Sequence, residues 1–139
     1  MSGTAVETQV REERTHYVLP LVGREVDQLA IDYSVTLVIE GTDTIRLITP
    51  FTLHIAGTTH LVDPEDLDTV AVVLQLHRAV VVRAHASKDG SLIVDFDGDR
   101  ELRVAPDPDG EAWEIGGGLP PVTPSYLVVC EPGGGVRVG

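Results

Sequence analysis

Residues 91–106 read SLIVDFDGDRELRVAP. Leu92, Val94 and Phe96 fall on one side of a period-2 pattern, and Leu102 and Val104 continue that side after the turn Asp97-Gly98-Asp99. Successive side chains of a strand point to opposite faces, so the stretch specifies an antiparallel hairpin with one buried face. The other face carries Asp95, Glu101 and Arg103 and meets water. Gly98 supplies the positive φ that a tight turn requires, and Asp97 can bond its own backbone there.

The same alternation runs outward from this hairpin. Upstream, residues 26–32 form a first strand, 35–40 a second with Val35, Leu37 and Ile39 inward, and 44–49 a third with Ile45 and Leu47 inward. Pro50 cannot donate to a ladder, so it ends that strand or marks an edge; Phe51, Leu53 and Ile55 then alternate towards Gly57 as a fourth. Asp63 as N-cap, Pro64 at the first position and the carboxylates of Glu65 and Asp66 predict a helix over 64–76, against a modest penalty from Thr69, Val70, Val72 and Val73. Residues 79–86 return to a strand, closed by Lys88-Asp89-Gly90. Downstream come a rigid acidic loop (106–110), a short strand over 111–115 with the sole Trp, an irregular stretch over 116–124, a buried strand over 126–130, the turn Gly133-Gly134-Gly135 and a last strand over 136–138.

An internal echo links 26–49 to 80–105, with Leu37-x-Ile39 and Ile45-Arg46-Leu47 answering Leu92-x-Val94 and Leu102-Arg103-Val104. The spacing between the pairs differs by two residues, which leaves duplication and two merely similar meanders both open. The expected fold is α+β and mainly β: antiparallel meanders forming a curved sheet, a sandwich or a partial barrel, with one principal helix.

The 139 residues suit one domain, taken as 16–139 behind a polar, mobile arm of 1–15. Apolar residues are 42% of the chain but aromatics only 4%, so Val, Leu and Ile fill the core. Ten Lys and Arg against 22 Asp and Glu give a formal charge of −12, which repels nucleic acid and anionic membranes over a Debye length of about 8 Å and leaves a basic protein as partner, or nothing but solvent. Cys130 is the single cysteine, so neither an internal disulfide nor a C-x-x-C site is available. No apolar run approaches the roughly 20 residues of a membrane span, and 1–15 lacks a signal-peptide core. The expected location is the cytoplasm.

Asp95-x-Asp97-x-Asp99 opens like a calcium loop, but Arg100 occupies the glycine position and Pro106 the twelfth. The five histidines form no H-x-x-x-H pair, none of the serines at 34, 87, 91 and 125 lies in G-x-S-x-G, and Cys130 sits among Leu127, Val128 and Val129 as a core residue. Glu111 and Glu114 flank Trp113, whose ring would raise a neighbouring carboxyl, yet on a strand they face opposite ways. No catalytic residue, metal or cofactor is assigned.

Leu21-Val22-Gly23, Asp32-Tyr33, Pro50-Phe51-x-Leu53, Asp63-Pro64-Glu65, Phe96-Asp97-Gly98, Glu111-Ala112-Trp113-Glu114 and Cys130-x-Pro132-Gly133-Gly134-Gly135 occur in that order. The sequence resembles a small bacterial domain family, common in actinobacteria, that carries EAWE and C-x-PGGG motifs and no assigned function. The resemblance implies no mechanism. The function expected from the residues is a non-catalytic acidic protein-binding domain, comparable to immunity proteins, with Asp95, Asp97, Asp99, Asp107, Asp109 and Glu111 as one binding surface. The alternative is a small-molecule or enzymatic site built on Trp113, Glu114 and Tyr126 beside 116–124.

Overall fold

The computed structural model describes residues 9–117 and 126–139. Its strands are β1 (Arg11–Glu12), β2 (His16–Val18), β3 (Val26–Ile31), β4 (Val35–Ile39), β5 (Asp43–Leu47), β6 (Phe51–Ile55), β7 (Thr58–Val62), β8 (Val81–Ser87), β9 (Leu92–Phe96), β10 (Arg100–Val104), β11 (Trp113–Gly117), β12 (Tyr126–Cys130) and β13 (Val136–Val138). They form two antiparallel sheets, in the orders β1-β2-β8-β9-β10-β6-β7 and β13-β12-β11-β5-β4-β3. Neither sheet closes into a barrel. Inward residues of both enter one core, including Leu37, Ile45 and Trp113 from the six-stranded sheet and Leu53, Val94 and Leu102 from the seven-stranded one. Each buried aliphatic side chain contributes roughly 1.5–3 kcal/mol, so the alternation seen in the sequence is what holds the two layers together.

Each sheet is built on a three-strand meander, β3-β4-β5 in one and β8-β9-β10 in the other. The chain leaving each meander crosses over: β6, after β5, pairs with β10, and β11, after β10, pairs with β5. The two meanders correspond in detail. Both first strands carry a register shift one residue in, between Val26 and Gln28 and between Val81 and Arg83. The Val26 N–H donates to the Ala79 carbonyl at 2.8 Å while the Val81 N–H donates to the Arg24 carbonyl at 2.9 Å, so the two halves exchange equivalent bonds. Gly23 N–H to the Val81 carbonyl and Arg78 N–H to the Val26 carbonyl form a second reciprocal pair. The β4–β5 turn joins Ile39 to Asp43 and the β9–β10 turn joins Phe96 to Arg100.

This corrects the echo read from the sequence. Leu37 and Ile39 answer Val94 and Phe96, not Leu92 and Val94. The two-residue difference lies in the preceding connection, residues 32–34 in one half and 87–91 in the other.

The expected helix over 64–76 is shorter and starts later. Its α-helical part, α1, is Leu67–Val70, capped by Asp66, whose carboxylate accepts the Asp68 N–H at 3.2 Å. Asp63 instead accepts the Glu65 N–H at 3.0 Å, and its own N–H is taken by the Thr69 hydroxyl at 2.8 Å. A 3-10 segment, Ala71–Leu76, follows. Val70, Val73 and Leu76 are the buried residues here, and their three-residue spacing suits a turn of 3.0 residues rather than 3.6.

Three strands, β1, β2 and β7, were not expected from the sequence. The strand β7 pairs with β6 through Ala56-Gly57, both at positive φ (49° and 85°), the signature of a two-residue hairpin turn. Only Val62 of β7 is buried, so no alternation announces it. Within the stretch read as an arm, Arg11–Glu12 pairs with β2 at the sheet edge; residues 1–8 lie outside the described residues. No helix among the described residues is long and apolar enough to cross a membrane.

Candidate functional site

The outer face of the seven-stranded sheet carries a row of charges that cross-strand register assembles. Arg83, Asp95, Glu101, His54 and Thr59 stand side by side across β8, β9, β10, β6 and β7. Directly opposed side chains on one face interact, and here two carboxylates, Asp95 and Glu101, stand next to each other between Arg83 and His54. Arg83 Nε lies 2.8 Å from Asp95 Oδ2, Arg103 Nε donates to Glu101 Oε1, and the Thr59 hydroxyl meets His54 Nδ1 at 2.7 Å. A cleft of about 270 Å³ opens here, lined by His54, Asp95, Phe96, Asp99, Arg100 and Glu101.

The two central carboxylates are shifted in opposite directions. Burial, and then the neighbouring Glu101, push the Asp95 carboxyl up despite Arg83, whereas the bond from Arg103 holds Glu101 down. At neutral pH the cleft presents carboxylate oxygens suited to a guanidinium or ammonium group.

The residues expected to bind a partner are divided by the fold. Asp95 and Asp99 line the cleft. Asp97 holds the turn: its Oδ1 accepts the Val80 N–H at 3.0 Å and Arg100 Nη2 at 2.7 Å, and the Val80 bond leads in holding its carboxyl below the ordinary range. Asp107, Asp109 and Glu111 lie beyond the opposite end of β10, where Asp107 Oδ1 accepts the Asp109 N–H at 2.8 Å and the Asp107 carbonyl accepts the Gly133 N–H at 2.7 Å. Five residues of strand separate the groups by roughly 15 Å. That exceeds a Debye length of about 8 Å, so the two acidic turns lie too far apart to act on each other strongly through solvent.

Trp113, Glu114 and Tyr126 are not brought to a shared opening. Trp113 is fully buried and its Nε1 donates to the Gly90 carbonyl at 2.8 Å. Glu114 faces the other way, 3.6 Å from Arg46. Residues 118–125, most of the irregular stretch, lie outside the described residues. The Tyr126 hydroxyl donates to Asp43 Oδ2 at 2.6 Å.

Asp43 is 4% exposed, and sequence reasoning passed over it. Its Oδ1 accepts the Thr42 hydroxyl at 2.7 Å and Arg24 Nη2 at 2.9 Å. Burial alone would raise this carboxyl, but the bonds from Arg24, Tyr126 and Thr42 outweigh it and hold it below the ordinary range. Burial and the bond to Asp43 drive the Tyr126 hydroxyl well above its ordinary range. The available signal was parity: Asp43 shares the inward side with Ile45 and Leu47, where an acid needs buried partners. His54 and Glu101 were legible only as solvent-facing.

The motif residues converge on a packing knot. A Cβ on Gly90 would lie 3.0 Å from Pro106 Cβ, 3.1 Å from Cys130 Sγ and 3.2 Å from Gly134 Cα, while one on Gly134 would meet the Asp89 carbonyl at 2.8 Å. With Trp113 bonded to the same Gly90, the EAWE and C-x-PGGG segments meet over a backbone contact that admits no side chain. Cys130 is buried there, which pushes its thiol up and leaves it un-ionised. Among the described residues no three His, Cys, Asp or Glu converge as metal ligands. No curated protein and no solved structure matches the chain. Residues 17–139, which contain both meanders, the cleft and this knot, match a family of unknown function, DUF6188, and the chain belongs to that family.

Proposed function

We propose that the protein is a non-catalytic binding domain, bacterial and cytoplasmic, that takes a basic segment of another protein at the carboxylate-lined cleft. The observation that carries this is the convergence of Asp95, Asp99 and Glu101 on one opening in a chain of net charge −12. Asp95 and Glu101 are held in place by Arg83 and Arg103, so their oxygens are presented without a large ordering cost. Asp99 takes part in no ion pair among the described residues and offers the open acceptor. Asp107, Asp109 and Glu111 contribute only long-range attraction at low salt.

An arginine-rich peptide, followed by fluorescence anisotropy, tests the reading. Asp99→Asn with Glu101→Gln should weaken binding at least about tenfold at physiological salt. Asp107→Asn with Asp109→Asn should slow association at low salt only. Equal losses from both pairs would show that bulk charge, rather than the cleft, attracts the peptide.

A further inference from the structure

The seven-stranded sheet ends in a thin margin. Strand β2 pairs with β8 over His16↔Ser87, Tyr17↔Ala86 and Val18↔His85, and β1 adds two pairs outside it. Beyond β2 the chain is fixed, because Leu19 and Leu21 are fully buried and the Leu19 N–H donates to the Ala84 carbonyl at 3.0 Å. Before β2 the grip is lighter. The Lys88 N–H donates to the Thr15 carbonyl at 3.0 Å, Lys88 Nζ meets Glu12 Oε2 at 2.6 Å, and the same ammonium sits 5.4 Å above the Tyr17 ring.

At the centre of this margin the His16 and His85 rings stack, with centroids 4.4 Å apart and planes 27° from parallel. Stacking suits two neutral imidazoles; two imidazoliums at that separation repel. We propose that this pair is an acid-operated latch: protonation of the stacked histidines releases residues 9–17 from β8 and opens the β8 edge, while the rest of the fold stays closed.

The charges around the pair give no relief. Arg83 lies two residues away on β8, and β1 brings Arg11. The acids nearby are already engaged, Asp95 by Arg83, Glu13 by Arg11 and Glu12 by Lys88. Across from His85, β9 presents the apolar Ile93, and Arg103 beyond it on β10 is bound to Glu101. Burial, then His16, Arg83 and Arg11, accordingly hold the His85 imidazole below its ordinary value. The sign follows: docking is at full strength above the ordinary histidine value of 6.5 and is lost as pH falls from there through the lowered value of the docked state. The released edge would expose unpaired N–H and C=O groups of β8, the kind of edge that accepts an added strand.

Amide exchange on the intact chain, corrected for intrinsic rates, distinguishes margin from core. Between about pH 7.5 and about pH 5 the Lys88 amide should lose protection at least tenfold while the Leu19 amide, four residues beyond Thr15 on the same ladder, keeps it. His85→Phe, which keeps a flat ring without a charge, should abolish the change at Lys88, and His16→Gln should reduce it. The latch is overturned if His85→Phe and His16→Gln both retain the wild-type pH midpoint, or if Lys88 and Leu19 lose protection together in the unaltered chain. Should His85→Phe fail to fold, the wild-type comparison of those two amides and the His16→Gln profile still decide.

Discussion

The first meander enters its third strand at Asp43 and the second at Arg100, equivalent positions just after equivalent turns. Beside Asp43 stand Gly117 and Tyr126; beside Arg100 stand Ile55 and Thr58. In the first half the charge is buried, and Arg24, Thr42 and Tyr126 close round it. In the second half the cation lies at the surface and clamps the turn, its Nε on the Asp97 carbonyl at 2.7 Å and its Nη2 on Asp97 Oδ1 at 2.7 Å. One backbone plan therefore supports two electrostatic solutions. In the half that buries its charge the Asp43 carboxylate is fully engaged, and the half that does not is where the cleft lies.

The comparison breaks most visibly at Asp43. Asp43→Ala should destabilise the protein by about 2–4 kcal/mol in chemical denaturation, since it leaves the Tyr126 hydroxyl without its acceptor and the Arg24 guanidinium with Glu40 but without its buried carboxylate. Asp99→Asn, which keeps a residue that tolerates the positive φ of 56° in the exposed turn of the other half, should stay within about 0.5 kcal/mol. A loss below about 1 kcal/mol for Asp43→Ala would mean that water replaces the carboxylate and that the burial has no energetic weight.

Gly117 comes next. A Cβ there would lie 2.3 Å from the Tyr126 ring and 2.4 Å from Asp43 Oδ2, so Gly117→Ala should cost about 1–3 kcal/mol by overpacking. At Gly116, one residue away, the nearest atoms would be 3.8 Å off, and Gly116→Ala should be close to neutral. Ile55 fills the matching place in the second half without conflict because no tyrosine and aspartate converge there.

The smallest effect is on pH dependence, and its sign differs between the halves. The Asp43 carboxyl is held below its ordinary value of 3.8, so its contribution is complete above that value and is lost as pH falls through the lowered one. Asp95 is pushed above 3.8, so ionising it costs the folded state as pH rises through its raised value. Asp43→Asn should flatten the acid limb of the stability curve, whereas Asp95→Asn should leave that limb and slightly raise the neutral plateau. Equilibrium denaturation across the acid range, compared for the two variants, reads both.

How far the sequence could be read depended on the range of the interactions. The hairpin over 91–106 was legible because its inward residues alternate and its turn carries a glycine, both local properties. So was the inward side of β4 and β5. The helix was misplaced because capping residues compete locally: Asp63 and Asp66 are both good caps, and the three-residue spacing of Val70, Val73 and Leu76 against the core decided for the second. The strand β7 was missed because an edge strand with one buried residue has no period to detect. The two acidic turns were expected to share a surface, and the length of β10 separated them.

The sequence by itself determined that the chain would be strand-rich, built on two meanders, with Val, Leu and Ile as its core and Cys130 inside it. Hydrophobic periodicity records which face of each strand avoids water, and that preference is written residue by residue. Tertiary structure alone decided that each meander takes its next neighbour from the other half, that Asp43 meets Tyr126, 83 residues away, and that His54 joins Asp95 and Glu101 at one cleft. Pairing between distant strands follows from which arrangement buries both apolar faces at once, a property of the whole chain that no single stretch contains.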